Sequence, residues 1–400
     1  MDSVRLRKWA KIRPFRTMFG VSFDWLCMIL VQVSGIFVMT HLDDWGLNGW
    51  QRVFWSIPIA TPFVVLTGCL MHRIGLMGHE SSHHMLLPNR KANDLLANLL
   101  CFFPLWSSLL SYRAKHLGHH LHPNNPDKDP NFAGTKDELI FSKFPMPRPS
   151  FIWNYYAKFF WPPFVFRNLA DLFHVLSVGT ETRQKLPFHL SPTKLGITFL
   201  FSMVGLIYAF EATGNPRAVI GGPIVFYLIA VAIWVAIPEQ NFRTSSSKLS
   251  YNPKLSALLR ISFYAVTFVV ISWIRHFGKF DFAPFYFGFW LLPLVYVFPY
   301  LMLLREVYQH ANLGTDRLNN SRIIFADPFT KWAVLGYGND FHLIHHIYPN
   351  IPHYNLEEAH QQLMEESEEY RESIKETVGT FRAPEGEESL IDSLGVGVKS

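Results

Sequence analysis

The chain has 400 residues, of which 49% are hydrophobic, 16% are aromatic and only 17% are charged. Soluble domains carry roughly 25% charged residues, so the composition argues against a string of soluble domains and favours one polytopic membrane protein. The net charge of +5 does not imply a nucleic-acid partner, because many basic residues flank apolar segments and act there as topology signals.

Two apolar segments near the N-terminus, 20–40 and 53–73, are long enough to cross the roughly 30 Å hydrocarbon core of a bilayer as helices. Six basic residues precede the first segment, whereas the loop between the two carries Asp43 and Asp44. The positive-inside rule therefore places the N-terminal flank in the cytoplasm. Because two crossings return the chain to that side, we expect the following region to be cytoplasmic.

The next apolar stretch, residues 95–110, is short for a full span. It dips into the membrane and returns, lies in the membrane interface, or forms a buried amphipathic helix beneath the cytoplasmic region, and the sequence leaves these alternatives open. Four further apolar segments follow at 195–213, 218–238, 257–274 and 282–304. The third is the weakest because Arg260 lies near its start, so we expect six spans and keep four as the alternative.

We expect residues 1–360 to form one all-α integral membrane domain with a helical cap on the cytoplasmic side. Residues 361–400 are rich in glutamate and lack an apolar run long enough to span, so they predict a polar cytoplasmic tail. The end of this tail, from Arg382 to Ser400, is expected to be a flexible terminus.

Nine of the 18 histidines fall in three short windows, 79–84, 116–120 and 342–346. Neutral imidazole is a common ligand of redox-active first-row metals, and helical residues three and four apart share one face. The windows therefore predict a site for two metal ions, for which iron, copper and zinc are the candidates. The predicted ligands are His79, His83, His116, His119, His120, His342, His345 and His346, with His310 just past the last apolar segment as a ninth.

Some alternatives stay open at this point. His84 is rotated by about 100° from His83 on a helix, so its role as a ligand is undecided. Residues 79–83 also spell H-E-x-x-H, in which Glu80 would be the general base of a zinc hydrolase, but such an enzyme needs only one further protein ligand. A metal transporter or sensor is the non-enzyme alternative, although it should carry ionisable residues in mid-span, whereas these windows lie at span ends.

In combination, the windows resemble the histidine boxes of the membrane fatty acid desaturase superfamily. Residues 78–84 are similar to the family's H-x-x-x-H box, and residues 112–120, followed by Asp129 and Pro130, to its H-x-x-H-H box with a downstream Asp-Pro. Residues 342–356 resemble the third box and the H-H-x-x-P-x-x-P-x-Y-x-L run that contains its end.

His310 matches the extra histidine ahead of the third box, and the resemblance spans roughly residues 50–360. Two positions depart from the family pattern: Gln309, where the residue is often acidic, and Asp340, where it is often asparagine. Neither departure removes a ligand. We predict that Asp129 and Asp340 accept hydrogen bonds from ligand N–H groups and so orient the imidazoles, the alternative being that each is a solvated carboxylate.

The resemblance implies a di-iron centre that reduces O₂ and takes hydrogen from an unactivated C–H bond. Two successive abstractions would desaturate a fatty acyl chain, which is the leading prediction. Hydroxylation, ketolation or oxidative decarboxylation of a fatty acid or carotenoid are the alternatives within the same superfamily. The active site is expected at the cytoplasmic face.

Electrons must come from another protein, because the chain has no haem-attachment, dinucleotide-binding or iron–sulfur motif. We expect a ferredoxin or a cytochrome b5-like donor. Basic residues on the cytoplasmic side would attract an acidic carrier or contact lipid headgroups: Lys115, Arg148, Lys158 and Arg167. Aromatic residues would line a tunnel for a hydrocarbon chain or simply pack: Phe102, Phe103, Trp106 and Trp290.

Overall fold

The computed structural model describes residues 3–130, 144–157, 161, 163, 186–242 and 248–397. Lys158 and Arg167, two of the basic residues expected to attract a carrier, lie outside these ranges. The described chain is mostly helical, with a single pair of short strands within these ranges. Its elements are α1 Ser3–Trp9, α2 Pro14–Thr40, α3 Gly49–Ser82, α4 Arg90–Ala97, α5 Leu109–Leu121, α6 Arg148–Ile152, α7 Pro192–Ala212, α8 Pro216–Ala236, α9 Pro253–Gly278, α10 Ala283–Tyr286, α11 Leu292–Val295, α12 Val297–His310, β1 Arg322–Phe325, α13 Pro328–Ala333, α14 His342–Ile347, α15 Leu356–Glu366, α16 Glu368–Ser373, β2 Lys375–Val378 and α17 Leu390–Ser393.

Six helical stretches in the described part of the chain are long and apolar enough to cross a membrane. They are Arg5–Thr40, Gly49–Ser82, Pro192–Ala212, Pro216–Ala236, Pro253–Gly278 and Ala283–His310. Each overlaps one of the six predicted segments, which confirms the polytopic helical fold and agrees with six spans rather than four. On α2, Leu30, Val33 and Phe37 are each more than half exposed, as expected for a helix that faces hydrocarbon.

Local sequence explains where three of the long helices begin. Each starts with a polar cap followed directly by proline, at 191–192, 215–216 and 252–253. The side chains of Ser191, Asn215 and Asn252 accept hydrogen bonds from backbone N–H groups of the first turn. Proline suits the first helical position because its missing N–H would have no partner there.

An ion pair between a buried aspartate and a half-buried arginine joins the first two spanning helices, and a tyrosine from the C-terminal third of the chain contacts it. Nε of Arg73 on α3 lies 2.9 Å from Oδ1 of Asp24 on α2, and Tyr337 donates its hydroxyl to the other oxygen of Asp24. The Arg73 guanidinium also stacks 4.7 Å from the centre of the Tyr337 ring. Ionisable residues in spanning helices are usually functional or paired, and this pair ties the helices to the segment just before the third histidine window.

The segment 95–110 is packed inside the protein. Cys101, Phe103 and Leu109 are fully buried, and the side chain of Asn98 accepts a hydrogen bond from the backbone N–H of Leu109. The segment is not among the helices long enough to cross a membrane. Its length therefore argues against a full span, and its burial is consistent with the alternative of a buried helical element.

The C-terminal residues of the described chain pack around the end of α12. β2 pairs in parallel with β1, a small sheet that the all-α prediction did not contain. Leu390 and Leu394 are fully buried in the cluster that includes Val307 of α12. The expectation of a flexible terminus from Arg382 is therefore wrong as far as residue 397, because the few apolar residues of this polar tail pack inward. A domain boundary at residue 361 stays a prediction.

Candidate metal centre

The nine predicted ligands meet in two groups at the ends of α3 and α12 and within α5 and α14. The first histidine group is His79, His83, His116, His120 and His345, and the second histidine group is His119, His310, His342 and His346. Within each group, one ring nitrogen of every residue lies within 4.8 Å of the others. The structure thus brings together all nine residues from four separate segments.

Helical periodicity explains how the two H-x-x-H-H windows divide between the groups. In α5, His116 and His120 are four residues apart and face the first group, whereas His119 is rotated by about 100° from His120 and faces the second. The expectation that histidines three residues apart would also share a target is therefore wrong for His116 and His119. In α14, His342 and His346 are also four residues apart and face the second group, whereas His345 faces the first. Each window gives two imidazoles to one group and one to the other, which fixes both groups to the same two helices.

The first group has the spacing expected of ligands to one ion. Nε2 of His116 lies 2.8 Å from Nε2 of His83 and 3.0 Å from Nε2 of His120, which is 3.1 Å from Nε2 of His345. Two nitrogens each about 2.1 Å from one ion and at right angles are about 3 Å apart. Both ring nitrogens of His79 are buried without a hydrogen-bond partner among the described residues. Buried polar atoms are rarely left in that state, so the group fits a bound cation.

In the second group, hydrogen bonds orient two of the rings. Nδ1 of His119 lies 2.8 Å from Oδ2 of Asp129, and Nδ1 of His310 lies 2.9 Å from the backbone oxygen of Asn320. An acceptor at Nδ1 keeps the proton there and leaves the lone pair of Nε2 for a metal. The Nε2 atoms of His119 and His310 are 3.3 Å apart. Asp129 has the contact with a ligand ring that the sequence predicted for it.

The electrostatics favour the form of imidazole that binds metals. Burial lowers the pKa of His83 to about 3, and it lowers the pKa of His116 and His345 well below the usual range. The neighbouring imidazoles lower these pKa values further, because a second positive charge in the group would be repelled. The rings therefore stay neutral near pH 7, as ligation requires.

Asp340 does not have the contact predicted for it. Its Oδ2 atom lies 2.7 Å from Nζ of Lys331 on α13. Among the described residues, no hydrogen bond joins Asp340 to a histidine. The position two residues before His342 indicated a partner for that ring, but the turn at 339–341 directs the carboxylate towards α13 instead.

His84 belongs to neither group. The chain turns at this residue with a φ of 61°, and Nδ1 of His84 lies 3.3 Å from Oδ1 of Asp94. Arg113 also contacts Asp94 at 2.6 Å and donates to the backbone oxygens of Ser81 and Ser82. The sequence prediction missed Arg113, although it lies three residues before His116 and so on the ligand side of α5.

The carboxylate of Glu80 lies between one ring of the first group and the backbone of His353. Its Oε2 accepts a hydrogen bond of 2.9 Å from the backbone N–H of His353, and its Oε1 lies 3.7 Å from Nδ1 of His79. A zinc hydrolase would need this carboxylate free to act on water. One of the two carboxylate oxygens is thus committed to His353, which disfavours the zinc-hydrolase alternative.

Comparison with known proteins agrees with this arrangement. A family model described as fatty acid desaturase matches residues 55–253 and 223–377. The chloroplastic omega-6 fatty acid desaturase of Glycine max is 23% identical over 308 residues, 76% of this chain and 56% of that protein. Dihydrorhizobitoxine desaturase of Bradyrhizobium elkanii is 22% identical over 354 residues, 85% and 77% of the two chains. The sn-1 oleoyl-lipid 12-desaturase of Picosynechococcus sp. is 22% identical over 345 residues, 81% and 79%. The chain thus spans little more than half the length of the first relative and over three quarters of the other two.

Proposed function

Because the chain belongs to the fatty acid desaturase family, we propose that it is an oxygen-dependent membrane oxidoreductase that introduces a double bond into a fatty acyl chain. In this reaction a saturated pair of carbons, O₂, two electrons and two protons give a double bond and two water molecules. The observation that carries the proposal is the sharing of two histidine windows between two groups of imidazoles. Such sharing would hold two ions side by side, which a single-ion hydrolase does not need.

The first histidine group would hold one iron ion and the second histidine group the other. Ligands made of imidazole suit iron among the first-row metals. When bound, such a pair of ions supplies the oxygen-dependent removal of hydrogen from an unactivated C–H bond.

The chain's own residues orient the ligands and exclude water. Asp129 keeps a proton on Nδ1 of His119, and the backbone oxygen of Asn320 does the same for His310. His342 and His345 are 3% and 2% exposed, so bulk water has little access to this side of the site. Exclusion of water protects an oxidising site from side reactions.

An aromatic surface beside the first group offers a path for the acyl chain. The ring of Tyr112 stacks on His116 with 5.4 Å between their centres, and Phe102 lies 5.3 Å from Tyr112. Phe102 and Phe103 are buried, and Trp290 donates its indole N–H to the backbone oxygen of Pro104. We place the reacting part of the acyl chain along this surface, with a lipid, carrier protein or coenzyme A as its carrier.

We further propose that the site faces the cytoplasm, where a ferredoxin or a cytochrome b5-like protein delivers the electrons. The basic N-terminal flank supports this orientation. Lys115 and Arg148 are exposed, and Lys115 directly precedes His116. Both would attract an acidic carrier to this side of the protein.

The test is to express the full chain with a reductase system in a host that has little unsaturated lipid, and to analyse total fatty acids by gas chromatography and mass spectrometry. We expect new double bonds with the wild-type chain and none with His119→Ala. His122→Ala is the matched control, since His122 is exposed, lies two residues past the second window and belongs to neither group.

If the products are alcohols or ketones instead of new double bonds, the proposed reaction changes to hydroxylation or ketolation. An unchanged lipid and hydrocarbon profile together with measurable metal flux would contradict the enzyme proposal and favour a transporter.

A further inference from the structure

One residue outside the two histidine groups contacts the hydrogen-bond acceptors of two ligands. Asn124 lies in the loop after α5, and its backbone N–H donates to Oδ2 of Asp129 at 2.9 Å, the same oxygen that accepts from His119. Its side-chain Nδ2 donates at 2.8 Å to the backbone oxygen of Asn320, the same oxygen that accepts from His310. Asn124 therefore links the acceptors of two imidazoles that come from different helices.

The backbone explains why asparagine occupies this position. The φ angle of Asn124 is 60°, in the left-handed region that asparagine and glycine tolerate better than other residues. Its amide group makes a second hydrogen bond of 2.7 Å to the backbone oxygen of Gly314. Both amide hydrogens are thus committed to backbone oxygens of the loop that follows α12, nearly 200 residues along the chain.

We propose that Asn124 is a positioning residue for the second histidine group: it ties the loop after α5 to the loop after α12 and so sets the angle between His119 and His310. This inference rests on the proposed metal centre. The Nε2 atoms of these two rings are 3.3 Å apart, a spacing that depends on both acceptors keeping their places. Groups that hold metal ligands in place typically change metal affinity by 10–100-fold when they are removed.

The experiment is a Co²⁺ titration of the full-length protein, purified in detergent and stripped of metal, followed by ligand-field absorption and calorimetry. We expect the wild type to bind two equivalents. In Asn124→Gly, which keeps the backbone freedom but loses the amide group, one equivalent should bind about 10-fold more weakly or worse. The other equivalent should keep its wild-type affinity and its absorption spectrum.

Asn312→Gly is the matched control. Asn312 also has a left-handed backbone, with a φ of 58°, but its Nδ2 donates to the backbone oxygen of Ser393, which accepts from none of the described histidines. We expect both Co²⁺ equivalents to bind to this variant as they do to the wild type. If the two asparagines only stabilise the local fold, both variants should bind Co²⁺ more weakly to the same degree.

Asn124→Asp keeps the volume of the side chain and the backbone N–H while losing both amide donors, so it decides the matter if the glycine variant does not fold. We expect the same loss at one equivalent only. Equal weakening of both equivalents, or no weakening in either variant, would overturn the role of Asn124. A wild-type protein that binds no Co²⁺ would instead overturn the metal centre itself, so the two failures are distinguishable.

Discussion

The two histidine groups are oriented by different means. In the first group, Nδ1 of His79 and Nδ1 of His345 have no hydrogen-bond partner among the described residues, and the rings converge because α3, α5 and α14 are packed together. In the second group, Asp129 and the backbone of Asn320 each hold one ring through Nδ1, whereas Nδ1 of His342 has no hydrogen-bond partner among the described residues. Helix packing therefore sets the first group, and directional hydrogen bonds orient two of the four rings of the second.

The first group depends on one buried contact between α3 and α5. The guanidinium of Arg113 pairs with Asp94 and donates to the last backbone oxygens of α3, beside His83. Arg113 and Asp94 are 3% and 0% exposed. Although burial by itself would raise the pKa of Asp94, hydrogen bonds from His84 and Arg113 hold that pKa below the usual range.

The largest effect is therefore expected from Arg113→Ala. Removing one partner of a buried ion pair leaves the other charge uncompensated, which typically costs about 3–5 kcal/mol. We expect the free energy of unfolding in detergent to fall by about this amount, and the first group to lose metal before the second. Lys115→Ala, on the exposed side of the same helix, is the control. The first group does not depend on this contact if Arg113→Ala has the free energy of unfolding of the wild type and loses metal from both groups together.

The second group should respond to the loss of a single acceptor. In Asp129→Asn, Nδ1 of His119 loses its charged acceptor, and we expect metal affinity at one site to fall by about 10–100-fold. Asp340→Asn provides the comparison, because the described partner of Asp340 is Lys331. We expect little change in metal affinity for that variant in an equilibrium titration. Equal losses in the two variants would show that Asp340 also orients a ligand.

The smallest expected effect is the contribution of one imidazole to the pH dependence of stability. Burial lowers the pKa of His83 to about 3, whereas imidazole in an unfolded chain titrates near 6.5. Below about pH 6.5 the unfolded state therefore binds the extra proton, and the metal-free protein loses stability as the pH falls towards 3.

His83→Gln should remove at most about 1.4 kcal/mol per pH unit from that loss. The measurement is the free energy of unfolding of the metal-free protein between pH 7.5 and 5.0, with the exposed His122→Gln as the control. An identical slope in His83→Gln and the wild type would show that His83 is not neutral in the folded protein at the lower pH.

Features that show as local patterns along the chain could be predicted from the sequence. Apolar length predicted the six spanning helices, and the spacing of histidines predicted that His116 and His120 share a face. Asp129 could be identified because it follows the second window in a recognisable run. Apolar length and histidine spacing depend on the local chain alone, so a single sequence carries them, whereas Asp129 was identified through the resemblance to the family's second box.

The remaining features depend on packing between distant segments. Asn320 acts through its backbone oxygen, which has no signature in the side-chain sequence. Asp340 looked equivalent to Asp129, yet a lysine on a neighbouring helix contacts it. The packed tail was missed because its composition is polar on average, although Leu390 and Leu394 are fully buried.

The central claim is that the two histidine groups each hold one iron ion. The most direct measurement is the iron content and Mössbauer spectrum of the purified full-length protein, reconstituted with ⁵⁷Fe, beside those of the His83→Ala and His119→Ala variants. The account predicts two irons per wild-type chain and the weakening of a different site in each variant. Fewer than two irons in the wild type, or the same spectral change in both variants, would contradict it.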